Sequence, residues 1–153
     1  MEIIEQFKAA KKGIDKSNED EIVVTSDFIA VFDGTSLAAG ETFEFRGETM
    51  SGGRFSSQIL SQALSEIDTK ADAYSAISSL TEKFNKAVMA QGKDINNTLA
   101  GSTAVIYSKY WDQIWMVGDG WALVGDEAHT NELPPAKLRA EMRRWLINVE
   151  IEK

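Results

Sequence analysis

Apolar residues recur along the chain with two different periods, and the change of period marks the elements. Glu21 to Ser26 (EIVVTS) is rich in β-branched residues, and Phe28 to Asp33 (FIAVFD) is apolar at both alternating positions. The second run predicts a strand covered on both faces. It ends at Asp33-Gly34, a turn signal. From Thr35 to Gly53 the chain is rich in Gly, Ser and Thr with little periodicity, which predicts a long surface loop. The period then becomes helical. Phe55, Ile59, Leu60, Ala63, Leu64 and Ile67 form one stripe behind a Ser51-Gly52-Gly53 entry. Ile77, Leu80, Phe84 and Val88 form a second, which stops near Gly92, and Thr69-Lys70-Ala71-Asp72 resembles a capping box for it.

Strands return at Ser102 to Ser108 (STAVIYS), Gln113 to Val117 (QIWMV) and Trp121 to Val124 (WALV). Their short links predict antiparallel hairpins, because a parallel crossover needs a dozen or more residues. Pro134-Pro135 opens a last amphipathic helix, over 134–150, carrying Leu138, Met142, Trp145, Leu146 and Val149. Strands, two helices, strands and a helix predict one α+β domain over residues 1–153, with helices packed on an antiparallel sheet.

Composition narrows the chemistry available to such a domain. Its 153 residues suffice for one real core, and 43% apolar with 26% charged residues excludes a disordered chain. Sixteen Lys and Arg against 24 Asp and Glu give a net charge of −8, unsuited to nucleic acid or an anionic membrane without a basic patch. The densest basic run, Arg139 to Arg144, is interrupted by Glu141. The absence of cysteine excludes a disulfide framework, a thiolate nucleophile and a Cys-ligated zinc, and the single histidine, His129, excludes multi-His metal sites. The acidic N-terminus lacks the basic start of a signal peptide, and no apolar run approaches the roughly 18 residues of a membrane span. A cytoplasmic location is the expectation. Chemistry here must run on carboxylates, hydroxyls and backbone.

Three acidic positions sit at strand ends. Glu19-Asp20 precedes the first strand, Asp33-Gly34 ends the second, and Gly118-Asp119-Gly120 joins two later ones. If those strands pair as neighbours, the acids converge at one edge of the sheet as oxygen ligands suited to Mg²⁺ or Mn²⁺. The plainer reading is that Asp-Gly merely punctuates hairpins. Spacing alone leaves both open.

Four short motifs add to this. Asn18-Glu19-Asp20, then Phe28-Ile29-Ala30-Val31-Phe32-Asp33-Gly34, then Gly101-Ser102-Thr103-Ala104-Val105, then Val117-Gly118-Asp119 follow one another in that order. The series resembles the NED, FAVFDG, GSTA and VGD elements of the PP2C-type metal-dependent protein phosphatases. Gly52-Gly53 before a helix is similar to that family's GG-helix segment. The likeness runs from about Asn18 to Val124.

The resemblance implies a β-sandwich of antiparallel sheets flanked by helices, short or incomplete here, with two Mg²⁺ or Mn²⁺ ions at one end. By matching position, Asp33 would bridge the ions, Gly34 would lend its carbonyl and Glu19 would hold one ion. Asp20 would orient the attacking water, and Asp119 would stand near a weaker additional ion. The implied activity is hydrolysis of phosphoserine or phosphothreonine by metal-activated water, on a phosphoprotein or a small phosphoester.

Several positions depart from the family pattern. The family's phosphate-binding Arg position is Asp15, with Lys16 beside it; Thr35 follows Asp-Gly where His is common; and Trp121 replaces the Arg of the VGDSR-like turn. Lys16 and Arg54 are the candidates to bind substrate phosphate. Nothing after Asp126 matches the family's two C-terminal metal-binding aspartates, so Asp126, Glu127 and His129 are candidates to rebuild the centre. For His129, a structural or solvated role is the plainer alternative. Two functions follow: a phosphatase, or a non-catalytic PP2C-like module that binds a partner through its sheet face or long loop. Trp111, Trp115, Trp121 and Trp145 read as core or sheet-covering residues, and exposed sheet would favour a homo-oligomer.

Overall fold

The apolar runs at the start of the chain form a hairpin in the computed structural model, which describes residues 2–10, 18–36, 41–98 and 100–131. Asp20–Val24 (β1) and Phe28–Ser36 (β2) pair antiparallel, from Val24↔Ile29 to Asp20↔Asp33. Thr25 closes the link, because its hydroxyl accepts from the backbone N–H of Phe28 at 2.8 Å and of Asp27 at 3.2 Å.

The segment expected as a long loop is instead mostly strand. β2 runs on to Ser36, and Thr42–Phe45 (β3) pairs with Glu48–Ser51 (β4). Arg46 and Gly47 close that hairpin with φ of 52° and 80°, the two left-handed positions that a tight hairpin turn demands. Phe43 stacks on Phe55 at 4.5 Å, and Phe45 meets the same ring edge-on at 6.2 Å. Those contacts, with Met50 and Val88, make a small second core that holds the hairpin down.

Two helices follow, Gly52–Leu64 (α1) and Ala73–Ala90 (α2). Ser51 caps α1 by accepting from the N–H of Arg54 at 3.3 Å. Asp72 caps α2 by accepting from the N–H of Ser75 at 2.7 Å. The capping box expected at Thr69 therefore gives way to Asp72 itself. Lys70 lies in a turn before the helix, its N–H donating to the Asp68 carboxylate at 2.9 Å.

Ala100–Ser108 (β5) pairs with β2 along its whole length, and Gln113–Val117 (β6) pairs with β5. The sheet order is β1-β2-β5-β6, antiparallel throughout. Alternation along the strands decides the faces. Phe28, Phe32, Ile106 and Trp115 turn toward the helices and bury against Leu64, Ile67 and Leu80. Val31, Val105 and Met116, one register row, lie on the opposite, open face.

Trp121–Val124 (β7) and Glu127–Thr130 (β8) form a last hairpin, and His129 stands within its second strand. The chain reaches that hairpin by folding over β5: a Cβ on Gly120 would lie 2.4 Å from Val105 Cγ2. The described residues thus make an α+β fold of antiparallel sheets with two helices on one face. No described helix is long and apolar enough to cross a membrane. The helix expected over 134–150, Trp145, Asp15 and Lys16 lie outside the described residues.

Candidate functional site

Strand register brings the acidic positions to one end of the sheet. Asp20 and Asp33 are direct cross-strand partners. Both belong to the open face, since their neighbours Glu21 and Phe32 pair on the helix side. Paired residues on adjacent strands sit about 5 Å apart, so two like charges face each other there and repel. Asp33 in turn is level with Thr103, and Gly118 packs directly on Thr103, where an added Cβ would be 2.5 Å from its methyl carbon. The turn carrying the exposed Asp119 therefore rises beside the same sheet end.

Glu19 goes the other way. Residues adjacent in an extended chain point to opposite faces, and its carboxylate lies under the start of α1. The Ser51 hydroxyl donates to Glu19 Oε1, and a Cβ on Gly53 would fall 2.6 Å from Oε2. The partial positive charge of a helix N-terminus favours an anion in that position. The Glu19 carbonyl also accepts from the N–H of Gly34 at 3.2 Å.

Gly34 is buried at the meeting of three backbones. A Cβ there would stand 2.1 Å from the Gly53 carbonyl oxygen and 2.6 Å from that of Glu19. The Asp33-Gly34 and Gly52-Gly53 pairs are thus two sides of one contact. Glycine is required because α1 touches β2 backbone to backbone.

Arg54 occupies the first turn of α1. Its guanidinium is ion-paired with Glu48 of β4 at 3.5 Å, and its side chain is only 20% exposed. A phosphate would have to take it from that partner. Asp126 and Glu127 sit at the tip of their hairpin, the end away from Asp119, whereas β8 returns beside β7 and pairs His129 with Ala122. His129 lines a cleft of about 420 Å³ with Tyr107, Asp112 and Ile114. Tyr107 is four residues along β5 from the partner of Asp33, roughly 13 Å at strand spacing. The Tyr107 hydroxyl donates to Asp112 at 2.9 Å, and that bond holds its phenol above the usual value of 10.0.

Two residues given no role by the motifs also belong to the site. Ser51 donates to Glu19, and Ser102 donates to the Asp33 carbonyl at 2.9 Å. The Ser51-Gly52-Gly53 helix entry and the Gly-Ser-Thr-Ala run were the available signals for them.

The donor types at the sheet end fit a hard divalent cation: the Asp20, Asp33 and Asp119 carboxylates and the Gly34 carbonyl. The donor number falls short, because among the described residues no three acidic, His or Cys side chains are grouped to hold a metal.

No protein-family model and no curated protein matches the chain. Among solved structures it is similar to the Mycobacterium tuberculosis serine/threonine phosphatase PstP/Ppp, with a TM-score of 0.51 and 19% identity over 82% of this chain and 53% of that one. The chain spans about half the length of that phosphatase. At this identity the likeness concerns the fold alone: the α+β arrangement corresponds to part of a PP2C-like phosphatase fold.

Proposed function

We propose that this chain is a PP2C-like phosphatase domain acting on phosphoserine or phosphothreonine with Mg²⁺ or Mn²⁺, its Asp20–Asp33 pair being the nucleus of the cation site. One observation carries the reading: in a fold similar to part of a solved serine/threonine phosphatase, the register sets those two carboxylates opposite each other. Their mutual repulsion is relieved either by a proton or by a cation. Asp119 and the Gly34 carbonyl are further oxygen donors at the same end of the sheet. When bound, such a cation supplies a lowered water pKa and neutralises phosphoryl charge. The chain's own part is to orient that water through Asp20 and to bind the phosphate through Arg54, once Glu48 releases it, and Lys16.

A second reading, a non-catalytic PP2C-like module, is favoured by the commitments of Glu19 to Ser51 and of Arg54 to Glu48. One experiment separates the two. The phosphatase reading expects saturable Mn²⁺ binding and Mn²⁺-dependent release of phosphate from a phosphothreonine peptide. Both should vanish in Asp33→Asn and persist in Asp112→Asn, which lies at the other end of the sheet. Mn²⁺ binding without turnover, unaffected by Asp33→Asn, supports the non-catalytic module.

A further inference from the structure

The two outer edges of the four-stranded sheet are unlike, and the difference points to a partner. β1 opens with Asp20 and Glu21, and Glu21 is ion-paired with Lys8 at 3.1 Å, in a cleft also lined by Gln6 and Phe7. Charges and a covering segment of this kind keep an edge from pairing with another chain. β6 has neither. Its sequence is Gln-Ile-Trp-Met-Val, without charge, proline or glycine, and among the described residues β5 is its only strand neighbour. The chain leaving β6 does not shield the edge, because Gly120 carries it inward over Val105.

We propose that the outer edge of β6 is a self-association surface, on which a second copy of this chain adds its own β6 antiparallel about a two-fold axis at Trp115. The edge is self-complementary in that register. Gln113 meets the second copy's Val117, and Ile114 meets the second copy's Met116. Trp115 meets its own equivalent, as a symmetric interface requires.

Charge selects this contact over others. The chain carries a net charge of −8, so two copies repel over most of their surfaces. Along the β6 edge no acid meets an acid, because Gln113–Val117 carries no charge and the chain turns away on both sides, at Asp112 (φ 50°) and Gly118 (φ 86°). Ile114, 38% exposed, gains the second copy's Met116 as a neighbour. The open apolar face then continues from one copy into the next. This inference is independent of the phosphatase reading.

The test uses the complete chain in sedimentation equilibrium. The unmodified chain is expected to be a dimer at micromolar concentration. Q113E/V117E places like charges opposite each other twice per dimer and should weaken the dimer by about tenfold or more. Q113E/V117K sets opposite charges against each other in the same register and should restore it. Both variants change exposed positions, and the carboxylate introduced by Gln113→Glu keeps an acceptor for the Trp115 indole N–H that Gln113 now serves. Hydrogen exchange on the unmodified chain gives a second measure, with β6 amides becoming more protected as concentration rises. A monomer at all concentrations, with β6 exchange that ignores concentration, overturns the proposal. So does a dimer that both double variants leave unchanged or weaken equally, since that result assigns association to the open face.

Discussion

Replacing Gly34 by alanine would test how firmly β2, α1 and the entry to β1 are locked together. The added Cβ would stand 2.1 Å from the Gly53 carbonyl oxygen, 2.5 Å from its carbonyl carbon and 2.6 Å from the Glu19 carbonyl oxygen. All three are backbone atoms, so no change of rotamer relieves the overlap. Either the first turn of α1 lifts from β2, or β2 draws away from Glu19 and breaks the 3.2 Å bond from the Gly34 N–H. Overpacking of a tight contact costs roughly 1–3 kcal/mol, and a lost internal hydrogen bond about 1 kcal/mol. The expected destabilisation is therefore about 2–4 kcal/mol, a large part of the roughly 5–15 kcal/mol that stabilises an ordinary domain. At about 2–4 °C per kcal/mol for a chain of this size, the thermal midpoint should fall by about 4–16 °C. Urea unfolding followed by tryptophan fluorescence measures the difference directly, provided the m-value is unchanged. Gly101→Ala is the control: it too is a strand glycine, but nothing lies within 4 Å of its added Cβ. It should be neutral or slightly stabilising, within about 0.5 kcal/mol. If Gly34→Ala also falls within about 0.5 kcal/mol of the unmodified chain, the backbone contact does not hold the site together.

Phe55→Ala removes the ring that Phe43, Phe45 and Phe84 meet at 4.5, 6.2 and 6.4 Å, and should cost roughly 3–5 kcal/mol. Limited proteolysis should then cut within the β3–β4 hairpin, and an uncut, equally stable variant would contradict its docking on that ring. Tyr107 should ionise above its ordinary 10.0, chiefly because it donates to Asp112. Its raised folded value contributes stability that is complete below pH 10.0 and lost as pH rises through that higher value. Ultraviolet titration of the three tyrosines should show one late ionisation that Asp112→Asn moves back toward 10.0.

Where the side chains that pack also set the period, the fold was legible in the sequence. The stripes through Leu64 and Leu80 recur because one side of each helix is covered. In β2 only Phe28, Ala30 and Phe32 line the core; Ile29 and Val31 are apolar as well, so the run predicted cover on both faces, yet Val31 is 45% exposed. The β3–β4 hairpin escaped because its strands are four residues each, too short for a period to show. Phe43, Phe45 and Met50 carried the alternation, and Arg46-Gly47 the turn. β8 was illegible for a different reason: all four of its residues are exposed, so burial left no mark on them.

The sheet end was legible to the level of strand pairing but not of faces. That Asp20 meets Asp33 follows from a short hairpin, and the four motifs placed Asp119 near them in order. Period-two alternation, already used for the core, also separates Glu19 from Asp20, because a shift of one residue exchanges the faces.

The same contact explains how the sheet end tolerates the segment inserted between its two glycine pairs. Asp33-Gly34 and Gly52-Gly53 are separated by the whole β3–β4 hairpin, yet the Gly34–Gly53 approach holds the two ends of that segment together. Loop-closure entropy grows only slowly with length, so a long insert between pinned ends adds little cost. The hairpin then contributes its own core through Phe43 and Met50 rather than hanging from the site. With those ends fixed, the position of Asp33 relative to Glu19 depends on backbone contact and not on what the insert carries. A substitution in the hairpin's exposed turn leaves that geometry alone, whereas a single methyl group at Gly34 must part β2 from the start of α1 or from Glu19.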